Sequence, residues 1–320
     1  MSDPLVSVLV CCHNRRDLLA LTLYSVFDQD YPNIEVVVVD DGSEDGTGAM
    51  IRDQFGDRVR YFWQENQGVT AARNRAAAEA RGELIAFQDD DDLMPPGRIT
   101  TLLAALREFP QAAFATGDLA YIDNEGNLLG RRWMSGPMDL REPARLLPDG
   151  QAAILWPLVP AVPHTTLFRR EDGERVGWFD SEFRHAAEDA DFLARLGEGK
   201  PIAYVREIVS HYRLGHSALT GNLVRTEAAR IQLWLKHLSR IGTRKPELRD
   251  RLHQRLLTAT LRLEDCRQQN VDEAAIDLAQ LIGSTLSQLP SGLRRKFAYE
   301  ARLKMPLKRL LDPVRRRSSG

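Results

Sequence analysis

The chain has 320 residues, 43% of them hydrophobic and 28% charged, which is the make-up of a folded soluble protein and excludes a disordered one. A formal net charge of −2 excludes a general electrostatic pull toward nucleic acid. The charge is uneven, however: from Ser291 onward ten Lys/Arg face two acids, a net of +8, which leaves −10 on the first 290 residues and suggests an anionic partner for the tail alone.

Leu5 to Cys12 is a continuous apolar run with three valines, expected to be a strand buried on both faces. Asn14 is placed to cap a helix reaching about Phe27, with Leu18, Leu19, Thr22, Leu23 and Val26 at helical spacing. After the turn residues Asp30-Tyr31-Pro32-Asn33, a second strand is expected over Ile34 to Val39, ending in Asp40-Asp41-Gly42-Ser43. A helix from Thr47 to Phe55, a strand from Val59 to Trp63 and an alanine-rich helix from Val69 to Arg81 follow. Leu84 to Gln88 reads as the fourth strand, then come four aspartates, Asp89 to Asp92, and a helix starting at Pro96, a residue suited to a first helical turn. Strands alternating with helices at these intervals imply parallel βαβ units with helices on both faces.

Beyond Phe109 the rhythm changes. Ala112 to Ile122 reads as a strand kinked at Gly117, Asp123 to Asn127 as a turn, and Arg131 to Gly150 as an irregular loop over the site. His164–Arg170 and Pro201–Val209 have strand character, and Glu188–Leu196 reads as a helix. From Asn222 the pattern is helical, with segments near Leu223–Ile241, Glu247–Gln269, Asp272–Leu289 and Leu293–Leu311. No apolar stretch approaches the ~20 residues of a spanning helix, and no basic region precedes the first apolar run, so no signal peptide is expected. Cys11, Cys12 and Cys266 have neither zinc nor redox spacing, and reduced thiols in a cytoplasmic protein are the simplest account.

The most informative feature is Asp89-Asp90-Asp91-Asp92 directly after the buried run Leu84-Ile85-Ala86-Phe87. Adjacent carboxylates cannot be buried unpaired, and a solvated acidic loop is the bland alternative. A divalent cation at the carboxyl end of the strand makes physical sense, because hard cations such as Mg²⁺ or Mn²⁺ bridge carboxylates to phosphates. In open sheets of this kind ligands bind outside the carboxyl ends of the strands, where both Asp40-Asp41 and the aspartate run fall. Neither G-x-x-x-x-G-K-[ST] nor G-x-G-x-x-G is present, which argues against a P-loop NTPase and a dinucleotide-dependent dehydrogenase. Without a glycine-rich cradle, a metal held by carboxylates is the available way to meet diphosphate charge.

Taken in order, Val6-Ser7-Val8-Leu9-Val10 with His13-Asn14, Val37 to Thr47 with Asp40-Asp41-Gly42-Ser43, Asn66-Gln67-Gly68 with Ala72-Arg73-Asn74, the four aspartates with Pro96, and Glu188-Asp189 resemble the family 2 glycosyltransferases of GT-A fold over about residues 5 to 217. Two departures stand out: the family usually has Pro-Thr-Tyr-Asn where this chain has Cys11-Cys12-His13-Asn14, and its D-x-D-D segment is here all aspartate. The resemblance implies a Rossmann-like, mostly parallel α/β sheet flanked by helices, with a catalytic domain over 1–220 (nucleotide half about 1–110, acceptor half about 111–220). A helical extension with the basic tail would occupy 221–320.

It also implies roles. Asp41 would hydrogen-bond the pyrimidine base, whose N3–H is a donor. Cys11, through its backbone, and Asn14 would line the nucleotide site, with Arg73 near the nucleotide or else in a salt bridge on its helix. Asp89 and Asp90 would approach ribose and diphosphate, Asp91 and Asp89 would hold Mn²⁺ or Mg²⁺, and His216 would approach the metal or diphosphate. Asp92 would instead hold a backbone N–H or a neighbouring base. Asp189 would be the general base, with Glu188 beside it, a single base and direct displacement giving inversion. Read from the residues themselves, Trp156 and Trp178 are candidates to stack on sugars, with Trp178, in Val176-Gly177-Trp178-Phe179-Asp180, expected rather to pack under the acceptor loop.

The implied function is transfer of a sugar from a nucleoside diphosphate donor, UDP-linked by preference, to a hydroxyl on a glycan or lipid-linked acceptor in cell-surface polysaccharide or glycolipid assembly. The tail would touch anionic membrane from the cytoplasmic side, or the helical extension would mediate oligomerisation; no nucleic-acid partner is expected. A sugar nucleotidyltransferase, which should carry a glycine-rich basic loop after strand one, and a non-catalytic glycan- or nucleotide-binding module are the competing readings.

Overall fold

The computed structural model describes residues 3–132, 144–156, 158–183, 186–215, 223–268 and 278–302. The chain opens with β1 (Val6–Cys12), α1 (Arg16–Phe27), β2 (Ile34–Asp41), α2 (Thr47–Gln54), β3 (Val59–Gln64), α3 (Val69–Glu79), β4 (Leu84–Asp89) and α4 (Arg98–Glu108). It continues with β5 (Phe114–Ile122), β6 (Leu128–Arg132), β7 (Ala144–Leu147), α5 (Gly150–Leu155), β8 (Thr166–Arg169), α6 (Arg170–Val176), α7 (Glu188–Leu196) and β9 (Ile202–Arg213). Four more helices follow among the described residues: α8 (Leu223–Ile241), α9 (Pro246–Gln268), α10 (Leu278–Gln288) and α11 (Ser291–Arg302). Two compact units result, one of residues 1–184 with 188–217, the other of 185–187 with 218–320.

The first unit is a nine-stranded sheet in the order β3-β2-β1-β4-β8-β5-β9-β7, with β6 pairing β5. Its β3-β2-β1-β4 half is parallel throughout, so the carboxyl ends of these strands share one edge. The strand-forming force is burial. Val6, Val8, Leu9, Val10 and Val37 to Val39 have no solvent exposure, as a β-branched run covered by helices on both faces requires. Cys11 pairs with Val39 on one side and Asp89 on the other, which sets the two acidic strand ends level with each other.

β8 then runs antiparallel between β4 and β5, and β9 lies parallel to β5. The β5–β9 register shifts on both sides of Asp118, next to Gly117, whose missing Cβ would lie 2.6 Å from Val209 Cγ1. That irregularity is the kink the glycine foretells. The stretch expected to be irregular from Arg131 to Gly150 instead begins within β6 and ends with β7, which pairs antiparallel with β9, followed by α5 from Gly150; cross-strand hydrogen bonding supplied by β9 decided this, and no local pattern carries it. Residues 133–143 lie outside the described residues.

Two helix starts also differ from the local expectation. Asn14 does not cap α1: it sits at φ 51°, in the left-handed region asparagine tolerates. The Arg16 N–H donates instead to Asp45 Oδ2 at 2.9 Å, from the loop after β2. α4 begins at Arg98, because Gly97 at φ 80° breaks the path from Pro96.

In the second unit α8 and α9 bury Ile231, Trp234, Leu252, Leu256 and Leu263. The buried Glu227 is answered there by Arg230 at 2.9 Å and Arg262 at 2.8 Å, as a buried carboxylate requires. No helix among the described residues is long and apolar enough to cross a membrane.

Candidate active site

At the end of β2 the two aspartates turn to opposite tasks. Asp40 accepts from the Ser43 N–H at 2.8 Å and the Tyr61 hydroxyl at 2.7 Å, which shapes the turn. Asp41 collects Gln64 Nε2 at 2.7 Å and the Gln67 N–H at 2.9 Å on Oδ1, and the Gly68 N–H at 2.8 Å on Oδ2. Three donors fix this buried carboxylate in place, and a carboxylate's capacity of about four acceptor positions leaves one for a ligand N–H. Gly42, at φ 84°, permits the turn; a Cβ there would lie 2.9 Å from the Asn66 nitrogen.

The loop after β1 is tied to the same turn. Asn14 donates its N–H to Ser43 Oγ and accepts from the Glu44 N–H, both at 2.8 Å, while His13 Nδ1 bonds the Asp41 carbonyl at 2.8 Å. Cys11 lies between the acidic ends. Burial, opposed by Arg73 and reinforced by Asp89, Asp90 and Asp41, pushes its thiol well up, so it is no thiolate ligand or nucleophile.

The aspartate carboxylates are held by three cationic side chains and by the Arg213 backbone N–H. Asp89 Oδ1 bonds Arg73 Nη2 at 3.0 Å and its Oδ2 bonds His164 Nδ1 at 2.8 Å. Burial works against its charge, but His164 and Arg73 outweigh it and hold the carboxyl below the usual range. Asp90 Oδ1 accepts from Arg15 Nη1 at 2.9 Å, and the same nitrogen contacts Asp91 Oδ2. Burial, against the pull of Arg15 and with the push of Asp91 and Asp89, raises Asp90 to about 7. Asp92 turns inward: Oδ1 accepts the Arg213 N–H at 2.8 Å and Oδ2 lies 2.8 Å from His164 Nδ1. Behind them Arg98, 1% exposed, donates to Gln88 Oε1 at 2.7 Å and the Phe87 carbonyl at 2.9 Å, with the charges of Asp89 and Asp92 opposing the depression that burial imposes on it.

The second acidic pair lies in the first turn of α7. Arg73 Nη1 bonds Glu188 Oε1 at 2.9 Å, so one guanidinium joins the end of β4 to the first turn of α7. Burial and the neighbouring Asp189 raise Glu188, with Arg73 opposing them. Asp189 is half-buried and accepts from the Ala190 N–H at 2.7 Å.

The geometry stands beside known proteins as follows. Residues 7–177, over half the chain, match the family described as Glycosyl transferase family 2. The chain belongs to this family. Among its relatives is a GalNAc(5)-diNAcBac-PP-undecaprenol beta-1,3-glucosyltransferase of Campylobacter jejuni, 34% identical over 129 residues, 39% of this chain and 41% of that protein. A Bacillus subtilis protein named for teichuronic acid biosynthesis, TuaG, is 27% identical over 223 residues, 68% of this chain and 82% of that one. In fold the chain resembles Staphylococcus aureus TarS 1–349 crystallised with UDP-GlcNAc, with a TM-score of 0.66 at 18% identity over 94% of this chain and 88% of that one. It also resembles the Pyrobaculum calidifontis mannosyltransferase PcManGT crystallised with GDP-Man and Mn²⁺, with a TM-score of 0.56 at 21% identity over 98% and 88%.

Cys11, Asn14, Asp41, Asp89, Asp90 and Asp91 share one edge of the sheet, and Arg73 links Asp89 to Glu188. Among the described residues Arg73 pairs with Asp89 and Glu188 rather than with a residue of its own helix. His216 lies outside the described residues. Trp178, half-buried, packs on Phe192 with ring centroids 6.2 Å apart and 17° from parallel. Arg15, His164 and Arg213 escape a sequence reading, because each reaches the aspartate run from a different element. The one available signal was the position of Arg15, directly after the His-Asn motif.

A metal fits the donor set. The carboxylates of Asp89 and Asp91 are 32% and 17% exposed, and hard oxygen ligands suit Mg²⁺ or Mn²⁺. Ligand atoms of Asp89, Asp92 and His164 also lie within 4.8 Å of one another. With a proton on Nδ1, though, His164 donates to Asp89 and stands in ion-pair contact with Asp92, and so acts as their clamp. Burial alone would push this imidazolium down; Asp92 and Asp89 outweigh it and raise it to about 10.

A raised histidine contributes stability that is complete below its unfolded value of 6.5 and lost as pH climbs through about 10. His164→Gln should therefore lower Tm near pH 6.5 by roughly 5–12 °C, the cost of breaking a buried pair. The gap to wild type should close toward pH 10. Thermal melts at both pH values decide it, and a pH-independent gap would refute the clamp.

Proposed function

We propose that the chain is an inverting glycosyltransferase that moves a sugar from a UDP-linked donor to an acceptor hydroxyl. The observation that carries this is Arg73, whose guanidinium bonds Asp89 and Glu188 at once and so sets an acidic pair beside the carboxylates suited to a nucleotide diphosphate. The family relatives named for undecaprenol-linked and teichuronic acid products support a lipid-linked or glycan acceptor in cell-surface polysaccharide assembly. UDP and UDP-GlcNAc complexes of the fold neighbour TarS support a uridine donor. A nucleotidyltransferase would need a basic glycine-rich loop where this chain has Cys11-Cys12-His13-Asn14.

Asp41, held by three donors, accepts the base N–H; Asn14 and the Cys11 backbone border the nucleotide. Asp91 with Asp89 would hold Mn²⁺ or Mg²⁺, with His216 as a further ligand, and Asp90 faces ribose and diphosphate. When bound, the metal would neutralise charge on the departing nucleoside diphosphate. Asp189 takes the proton of the acceptor hydroxyl as its oxygen forms a bond to the anomeric carbon and the bond from that carbon to the diphosphate breaks. Displacement from the opposite face inverts the centre. Glu188, tethered by Arg73, orients this exchange.

A positioned base contributes about 10²–10⁴-fold. Asp189→Asn should lower kcat by about that factor with donor affinity nearly unchanged, and Glu188→Gln should cost less. Turnover and UDP binding measured side by side decide it: a larger loss at Glu188→Gln moves the base there, and normal turnover in both removes α7 from the chemistry. Asp91→Asn should abolish the Mn²⁺ dependence of UDP binding by calorimetry, and unchanged dependence would refute the metal assignment.

The +8 tail is proposed to rest on anionic membrane from the cytoplasmic side, since clustered Lys/Arg gain about 1 kcal/mol each near such a surface. Removing residues 291–320 should weaken sedimentation with anionic liposomes more than turnover of a soluble acceptor. Equal liposome binding by the truncated and full chains would exclude this placement.

A further inference from the structure

Arg15 stands where a cation is needed. It follows Asn14, whose left-handed backbone turns the chain into α1, and its Nη1 bonds Asp90 Oδ1 at 2.9 Å while contacting Asp91 Oδ2. The adjacent Arg16 diverges to the exposed Asp17, so the inward course of Arg15 is specific to it. Its side chain is 26% exposed and those of Asp90 and Asp91 are 9% and 17%, which places the ion pair at the mouth of the site.

A guanidinium keeps its charge at every accessible pH, so Arg15 serves Asp90 and Asp91 as a permanent counter-cation. A divalent ion on Asp91 and the Arg15 guanidinium would repel each other across the few ångströms that separate their partners. The guanidinium must then leave Asp91, yet its stem stays anchored at the start of α1. The anion that enters with the metal is a diphosphate, and the planar fork of a guanidinium matches phosphate oxygens in pairs.

We propose that Arg15 is a donor-binding residue that neutralises Asp90 and Asp91 until the metal and nucleotide arrive and then exchanges onto the donor diphosphate. This rests on the nucleotide-sugar reading above and assigns it a residue that neither the sequence motifs nor the aspartates themselves supply. The two halves of the exchange have opposite signs. Losing Arg15 removes a competitor for the metal but also a ligand for the diphosphate.

The test uses the full chain as wild type, Arg15→Gln and Arg15→Lys. Calorimetry reads Mn²⁺ alone, UDP at saturating Mn²⁺, and uridine as a probe without phosphates. Arg15→Gln should bind Mn²⁺ alone about tenfold more tightly and UDP about 10–100-fold more weakly, the worth of a charge-assisted bond. Uridine binding should be unchanged. Arg15→Lys, which keeps the charge without the fork, should retain wild-type Mn²⁺ affinity and recover part of the UDP affinity.

Unchanged or weaker Mn²⁺ binding by Arg15→Gln, or UDP binding equal to wild type, would overturn the exchange. An equal loss for uridine would overturn it too, since the effect would then not lie in the diphosphate. If wild type itself binds neither UDP nor Mn²⁺, the nucleotide-sugar reading fails instead, and the two failures are distinct.

Discussion

Compensation of negative charge is the constraint on which this structure turns. Asp40, Asp41 and the run Asp89 to Asp92 are brought to one edge of a sheet whose interior is valine, leucine and phenylalanine. Six carboxylates so close would repel one another apart in a low-dielectric setting. Each is met by a donor or cation instead: backbone N–H groups, a tyrosine hydroxyl and a glutamine for Asp40 and Asp41, and Arg15, Arg73, His164 and Arg213 for the run.

The same compensation links fold to chemistry. His164 sits in the helical turn Pro163–Thr165 that leads into β8, and Arg213 ends β9, so the strands added beyond the parallel half share with Arg15 and Arg73 in holding the aspartates. The loop after the run is pinned by two backbone bonds between Leu93 and His211, at 3.1 and 3.0 Å. Arg213 spans further, from the Asp91 carbonyl at 2.8 Å to the carbonyls of Asp123 and Asn124 at 2.9 and 2.7 Å. The acidic edge is therefore preorganised by protein groups, and charge that enters with a ligand meets a site already balanced.

Local pattern and tertiary context part company at particular residues. The starts of β2, β3 and β4, the helix over Glu188–Leu196 and the helix over Leu223–Ile241 were legible because burial periodicity and β-branching act within a few residues, whereas β9 runs on to Arg213, beyond the expected Val209, alongside β5. The cap of α1 was not: Asn14 has the right chemistry, but Asp45, from the loop of the next strand, takes the Arg16 N–H. Pro96 has the right chemistry for a first turn, yet the left-handed Gly97 delays α4 to Arg98. β7 was unreadable because its partner, β9, lies far along the chain and supplies its hydrogen bonds.

By itself the amino-acid sequence determined the βα order, the acidic ends of β2 and β4 and the acidic first turn of α7, since each depends on neighbours in the chain. Only the tertiary structure decided which cation answers which carboxylate. Arg15 meets Asp90 across 75 residues, His164 meets Asp89 across 75, and Arg73 meets Glu188 across 115. Ion pairs are set by distance in space, and arginines and histidines are scattered through the whole chain, so no spacing rule selects these partners before the sheet has brought them together.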